Sequence, residues 1–252
     1  MKISIRHELT LDLGTPPRVV AHLLLTPLAT AQQKIIQWTI DMPGIDTAAA
    51  FRDGFGNKTH LVSVAKPEGP IEIVVTGVVE TTDKAGVLGR LDLDPAPALF
   101  RRPESGVTAD PALLQDLSEA DGKIGLLHQL MERVPGPAQA QSSEGQSQSQ
   151  SSGGNAIAGL RAFIAAARSL SIPARYVTGY IVDGDADAGL HRWAEAWDER
   201  LGWIGFDPLL KLCPADRHVR LASAQELVWT APARTVPAAA AEPTESVTVE
   251  AD

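Results

Sequence analysis

The stretch that decides the fold is Phe163-Ile164-Ala165-Ala166-Ala167-Arg168-Ser169-Leu170-Ser171-Ile172-Pro173-Ala174-Arg175-Tyr176-Val177-Thr178-Gly179-Tyr180, continued by His191-Arg192-Trp193-Ala194-Glu195-Ala196-Trp197 and by Leu201-Gly202-Trp203-Ile204-Gly205-Phe206-Asp207-Pro208. Ile157, Leu160, Phe163, Ile164 and Ala167 recur at helical spacing, with Arg161 and Arg168 left for solvent. Asn155 is placed to cap this helix, and Ser171-Ile172-Pro173 stops it near Leu170. From Ala174 to Val182 the pattern alternates as a strand, and Asp183-Gly184-Asp185 makes a turn. His191 to Trp197 forms a second strand, Glu199-Arg200-Leu201-Gly202 a hairpin turn, and Trp203 to Phe206 a third strand ending at Asp207-Pro208.

Upstream, apolar residues alternate with polar ones through Ile3, Ile5, Leu9, Leu11 and Leu13, the period of a half-buried strand. Further strand-like runs cover Val19 to Leu25, Ile35 to Ile40, His60 to Val64 and Ile71 to Thr81, broken by turn formers such as Asp53-Gly54-Phe55-Gly56-Asn57. Short punctuated strands predict an antiparallel β-sandwich over residues 1–100. Past Pro95 and Pro103 the pattern turns helical. Asp110-Pro111 opens a short helix, and Asp121 is placed to cap a second through Ile124, Leu127, Leu130, Met131 and Val134. Pro135-Gly136-Pro137 ends it. Residues 139–154 hold five Gln, six Ser and three Gly, with almost nothing to bury, and are expected to form a low-complexity loop. Residues 223–252 read as a C-terminal segment that becomes a flexible, solvated tail from Ala231, rich in Ala, Pro and acid. The fold class expected is therefore α+β, with a core over 108–222.

The 252 residues carry 22 basic and 31 acidic side chains, a net charge of −9 that gives nucleic acid no clustered Lys/Arg surface. No stretch reaches the roughly 20 apolar residues of a membrane span, and Lys2 and Arg6 break the start before any signal-peptide-like run. The expectation is a cytoplasmic protein without membrane contact. A single cysteine, Cys213, rules out an internal disulfide or a multi-cysteine metal site.

The three quoted blocks, in this order and spacing, resemble the bacterial transglutaminase-like superfamily of cysteine-protease-type proteins. Asp53-Gly54-Phe55-Gly56-Asn57 and Glu80-Thr81-Thr82-Asp83 look like parts of the N-terminal β domain these proteins carry. The resemblance covers most of residues 1–222. It implies a papain-type core and a Cys-His-Asp triad, in which a helix-start thiolate attacks, the histidine moves the proton and the aspartate fixes its tautomer. His191 falls at the histidine position and Asp207 at the aspartate position, while Trp193 and Tyr180 are candidate binding residues.

The nucleophile position departs from that pattern. Such families open the helix with a Gly-x-Cys-x-Asp-x-Ala-His type of sequence. Here the run is Gly154-Asn155-Ala156-Ile157-Ala158-Gly159-Leu160-Arg161, which puts Ala156 where the cysteine belongs. Because the neighbouring signature residues are gone too, the reading is natural loss: a pseudoenzyme serving as a binding or scaffolding subunit. The resemblance implies a protein partner or a peptide in the cleft, among them an active relative or an ATP-grasp type ligase. The alternative is a working cysteine protease, amidase or acyltransferase that uses Cys213 or a cysteine from a partner chain. A third is a general-base reaction of the His191 and Asp207 pair on bound water. No cofactor is expected. Asp183 to Gly189 imitates a calcium loop but has Ala188 at its sixth position and Ala194 at its twelfth, so no metal is expected there.

Overall fold

The computed structural model describes residues 1–118, 120, 122–135, 151–182, 190–239 and 243–251, the side chains of 151–156 excepted. Asp121, Asp183-Gly184-Asp185, the calcium-like run at 183–189 and positions 139–150 of the low-complexity segment lie outside the described residues.

The chain begins with β1 (Lys2–Leu11), β2 (Arg18–Thr26), β3 (Gln33–Asp41), β4 (Ala49–Arg52), β5 (Lys58–Ala65) and β6 (Ile71–Thr81). β1 buries alternate residues, and pairs with β6 in the register Ile5 to Gly77. The strip that goes inward joins Ile3, Ile5, Leu9 and Leu11 to Val19, Ala21, Leu23 and Val62 from the facing sheet. This period-two alternation makes a sandwich, since each sheet can cover its apolar face only with the other.

A short β7 (Val87–Gly89) follows, then α1 (Pro111–Leu114), α2 (Gly122–Arg133) and α3 (Ser151–Ser169). Asp110 caps α1 as its sequence predicts, accepting the Ala112 N–H at 2.9 Å. The end of α2 is held by Lys211, whose ammonium donates to the carbonyl oxygens of Met131 and Val134. α3 starts at Ser151, four residues ahead of the expected Asn155 cap, so the last four positions of the 139–154 segment are helical rather than loop. Its apolar face, Leu160, Phe163, Ile164 and Ala167, packs with Leu127, Leu130 and Met131 of α2. That burial outweighs the poor helix propensity of Ser and Gly in its first turn.

The core sheet is completed by β8 (Ala174–Ile181), β9 (Leu190–Asp198), β10 (Gly202–Phe206) and β11 (His218–Ala224), in the order β11-β8-β9-β10-β7. β7, drawn from the region expected to be sandwich, thus closes one edge of the core. Finally β12 (Ala233–Val236) pairs with β2, and β13 (Thr244–Ala251) pairs with β1 along Ile3 to Ala251 through Thr10 to Thr244. The expected solvated tail is therefore corrected: each sandwich sheet takes one edge strand from it. β13 buries only Val249 fully, so its backbone pairing rather than an apolar stripe fixes it.

The other edge of the core sheet, β11, meets the sandwich through side-chain amides. Gln33 accepts the Arg220 N–H and donates to the Arg220 carbonyl, both at 2.8 Å. Asn57 does the same to Ser223, at 2.9 and 2.8 Å. Each amide supplies what a neighbouring strand would supply. Asp53 aims Asn57, accepting the Asn57 side-chain amide on Oδ2 and the Phe55 and Asn57 backbone N–H groups on Oδ1.

Candidate functional site

The site lies where β9, the end of β10 and the start of β11 converge. His191 stands across the ladder from Gly179 of β8. Trp193, two residues on and hence on the same face, sets its ring against that glycine: a Cβ at Gly179 would come within 2.6 Å of the Trp193 ring and 2.1 Å of the Val219 carbonyl oxygen. The indole and the His191 imidazole are stacked, 6.1 Å between centroids and 26° between planes.

Asp207 follows β10 and is fully buried. Its backbone pairs with Leu212 in both directions, at 2.8 and 3.3 Å, which closes the intervening loop. Oδ1 accepts the N–H groups of Leu209 and Leu210 at 3.0 and 3.1 Å. Oδ2 lies 2.6 Å from His191 Nε2. Burial pushes this carboxyl upward, but the hydrogen bond from His191, the His218 imidazole close by, the His191 charge and the backbone N–H of Leu210 outweigh it and hold the group at about 2. An ionised carboxylate only accepts, so His191 donates through Nε2 and, when neutral, keeps its lone pair on Nδ1. This is the orientation a general base requires.

The sequence reading gave no role to a third residue, His218. It lies at the start of β11 with its side chain 2% exposed and its Nε2 3.5 Å from the same Oδ2. Its Nδ1 accepts the Ala215 N–H at 3.2 Å. A lone histidine before an apolar run looks structural, and only the return of β11 beside β8 shows otherwise. The ligand atoms of His191, Asp207 and His218 all lie within 4.8 Å of one another, a spacing that could hold a metal. The Ala215 N–H argues against it. A nitrogen that accepts carries no proton, so in neutral His218 the proton is on Nε2, which then has no lone pair for a metal.

Beside the site, on the same face of β9, Glu195 is buried between two guanidinium groups. Arg175 Nε is 2.6 Å from Oε2 and Arg220 Nε 2.7 Å from Oε1, while Arg175 reaches Asp94 at 2.6 Å. Burial would raise the Glu195 carboxyl, and the two arginines bring it below its usual range.

The remaining expected site residues fall as follows. Tyr180 is fully buried in the sandwich-side core, with its hydroxyl 3.0 Å from His7 Nδ1, so it joins the two parts of the fold and offers no exposed binding group. Trp193 is 2% exposed and acts on the site as a wall behind His191. The side chain of Ala156, in the first turns of α3, lies outside the described residues. Cys213 is half-buried and packs within the helix-side core, close to Gly86. Burial pushes its thiol up, opposite to what an activated nucleophile needs. No helix among the described residues is long and apolar enough to cross a membrane.

Residues 131–208 match the transglutaminase-like superfamily, and residues 3–80 match the bacterial transglutaminase-like N-terminal region. The fold is similar to that of "a Putative Cysteine Protease from Cytophaga hutchinsonii", with a TM-score of 0.68 over 99% of this chain and 89% of that one, at 21% identity. A search of curated proteins finds no match.

Proposed function

We propose that this chain, which belongs to the transglutaminase-like superfamily, is a non-catalytic member that binds a peptide or protein segment beside His191. The observation that carries the reading is an intact His-Asp pair in a chain whose one thiol is not activated. The His191 and Asp207 pair is intact at 2.6 Å, whereas the single thiol of the chain, half-buried against the helix-side core, has its ionisation suppressed by burial.

The course of α3 supports the same reading. Arg168 donates to the Ala174 carbonyl at 3.0 Å, which ties the end of the helix to the start of β8. At a rise of about 1.5 Å per residue, the axis runs back about 18 Å from there to position 156. That length matches roughly five or six residues of strand, the span from Ala174 to Gly179, the residue opposite His191, and we take α3 to run back along β8 over that span. An alanine has no lone pair with which to attack an acyl group.

Thiol labelling tests this. Ala156→Cys is expected to react with a thiol-directed electrophile at neutral pH at least about tenfold faster than Cys213. The advantage should vanish in the Ala156→Cys, His191→Ala double variant. Fast labelling of Cys213 in the unaltered protein, lost on His191→Ala, would show that the chain carries its own nucleophile and would overturn the proposal.

A further inference from the structure

We propose that His218 is a positioning residue for the His191 and Asp207 pair: a second imidazole donor on the same carboxylate oxygen, delivered by a strand that the sandwich holds in place. The proposal is independent of whether the site turns over a substrate.

Three observations converge on it. The His218 side chain is 2% exposed, and its Nε2, buried and without a hydrogen-bond partner among the described residues, faces Asp207 Oδ2 at 3.5 Å, at the outer edge of hydrogen-bond range. The Ala215 N–H on Nδ1 makes Nε2 the protonated nitrogen, so the ring presents a donor to the carboxylate. The ring edge also rests on Trp193, 5.5 Å between centroids at 79°, and Trp193 in turn stacks on His191. Asp207 receives two backbone N–H groups on Oδ1 and the His191 imidazole on Oδ2, where the His218 N–H, closing from 3.5 Å, would add a second; rotation about its Cβ–Cγ bond would break contacts at both oxygens. A carboxylate that cannot turn keeps His191 in a single tautomer.

The source of this order is the sandwich. The Thr81 hydroxyl donates to the Asp216 carbonyl, and Gln33 and Asn57 hold Arg220 and Ser223. His218 therefore sits between clamped positions, and the N-terminal part of the chain sets the geometry of the His191, Asp207 and His218 cluster.

The experiment is long-range imidazole nitrogen NMR on the whole protein at neutral pH. In the unaltered protein His218 is expected as the Nε2–H tautomer, and His191 as Nε2–H over Nδ1–H by at least about tenfold, the bias that one hydrogen bond to a charged group gives. His218→Leu should reduce the His191 bias to about threefold or less. His218→Gln, whose amide can still donate to Oδ2, should restore it. Loss of packing alone would not be repaired by glutamine, so the rescue separates positioning from bulk. An Nδ1–H tautomer at His218, which would free Nε2 for a metal ion, would overturn the proposal without any variant. So would an unchanged His191 bias in folded His218→Leu, or a lost one in folded His218→Gln.

Discussion

The side-chain amide of Asn57 takes the backbone N–H of Ser223 at 2.9 Å and gives its own N–H to the Ser223 carbonyl at 2.8 Å, so one residue of the sandwich stands in for a strand beside the core sheet. Cutting that amide back leaves a buried donor and acceptor without partners. Asn57→Ala is expected to cost about 2 kcal/mol, the scale of orphaned buried polar groups, and Gln33→Ala a similar amount. Urea unfolding of the two single variants and the double variant checks this. A loss below about 0.5 kcal/mol in both singles would mean that the clamp is idle.

Acid should unfold the protein partly through Asp207. Its folded carboxyl sits at about 2, below the roughly 3.9 of an unfolded aspartate. The depressed value stabilises the fold fully above about pH 4, and this contribution fades as pH falls through the folded value. The difference corresponds to about 2 to 3 kcal/mol. Asp207→Asn lacks this titration, so its stability is expected to fall less steeply than that of the unaltered protein between pH 5 and pH 2. Parallel curves for the two proteins would refute the assignment.

Glu195 neutralises two buried guanidinium groups at once. Glu195→Gln removes the charge while keeping the shape, and breaking a buried pair from one side costs about 3 to 5 kcal/mol. The expected result is a large drop in the denaturant midpoint, with expression as inclusion bodies at the upper end of that range. Replacing Arg175, which also holds Asp94, should be as damaging.

Gly179→Ala tests the close approach behind the site. Its new methyl would meet the Val219 carbonyl at 2.1 Å and the Trp193 ring at 2.6 Å. The strand or the indole must move, and the indole is the wall on which His191 stacks. The expected outcome is a red-shifted or quenched tryptophan emission together with a displaced His191 resonance. Unchanged spectra would show that the ring does not depend on the glycine.

Much of this molecule was legible in its letters. Period-two runs marked β1, β2, β3, β5 and β6 to within two residues or so at each end, because their inward faces are apolar and their outward faces polar. The Phe163 to Pro208 blocks gave the helix, the stop and the next three strands, and their resemblance to a known superfamily drew His191 and Asp207 together across 16 positions. Part of what escaped has a common cause. β7, β12 and β13 have little apolar pattern of their own, being short or nearly fully exposed, and are strands only because a partner edge awaits them. His218 and the Arg175, Glu195 and Arg220 cluster depend on contacts between β8, β9 and β11, and no local period reports which charges will meet.

The two closing strands carry a further implication for how the chain is made. β12 and β13 border β2 and β1, yet they leave the ribosome well after the strands they border. Until then the first hundred residues offer two half-dressed sheets whose naked borders could recruit any extended neighbour. A truncated copy of that region would thus be a sticky object rather than a smaller protein, and synthesis must run past β13 before the molecule can seal its own oldest seams.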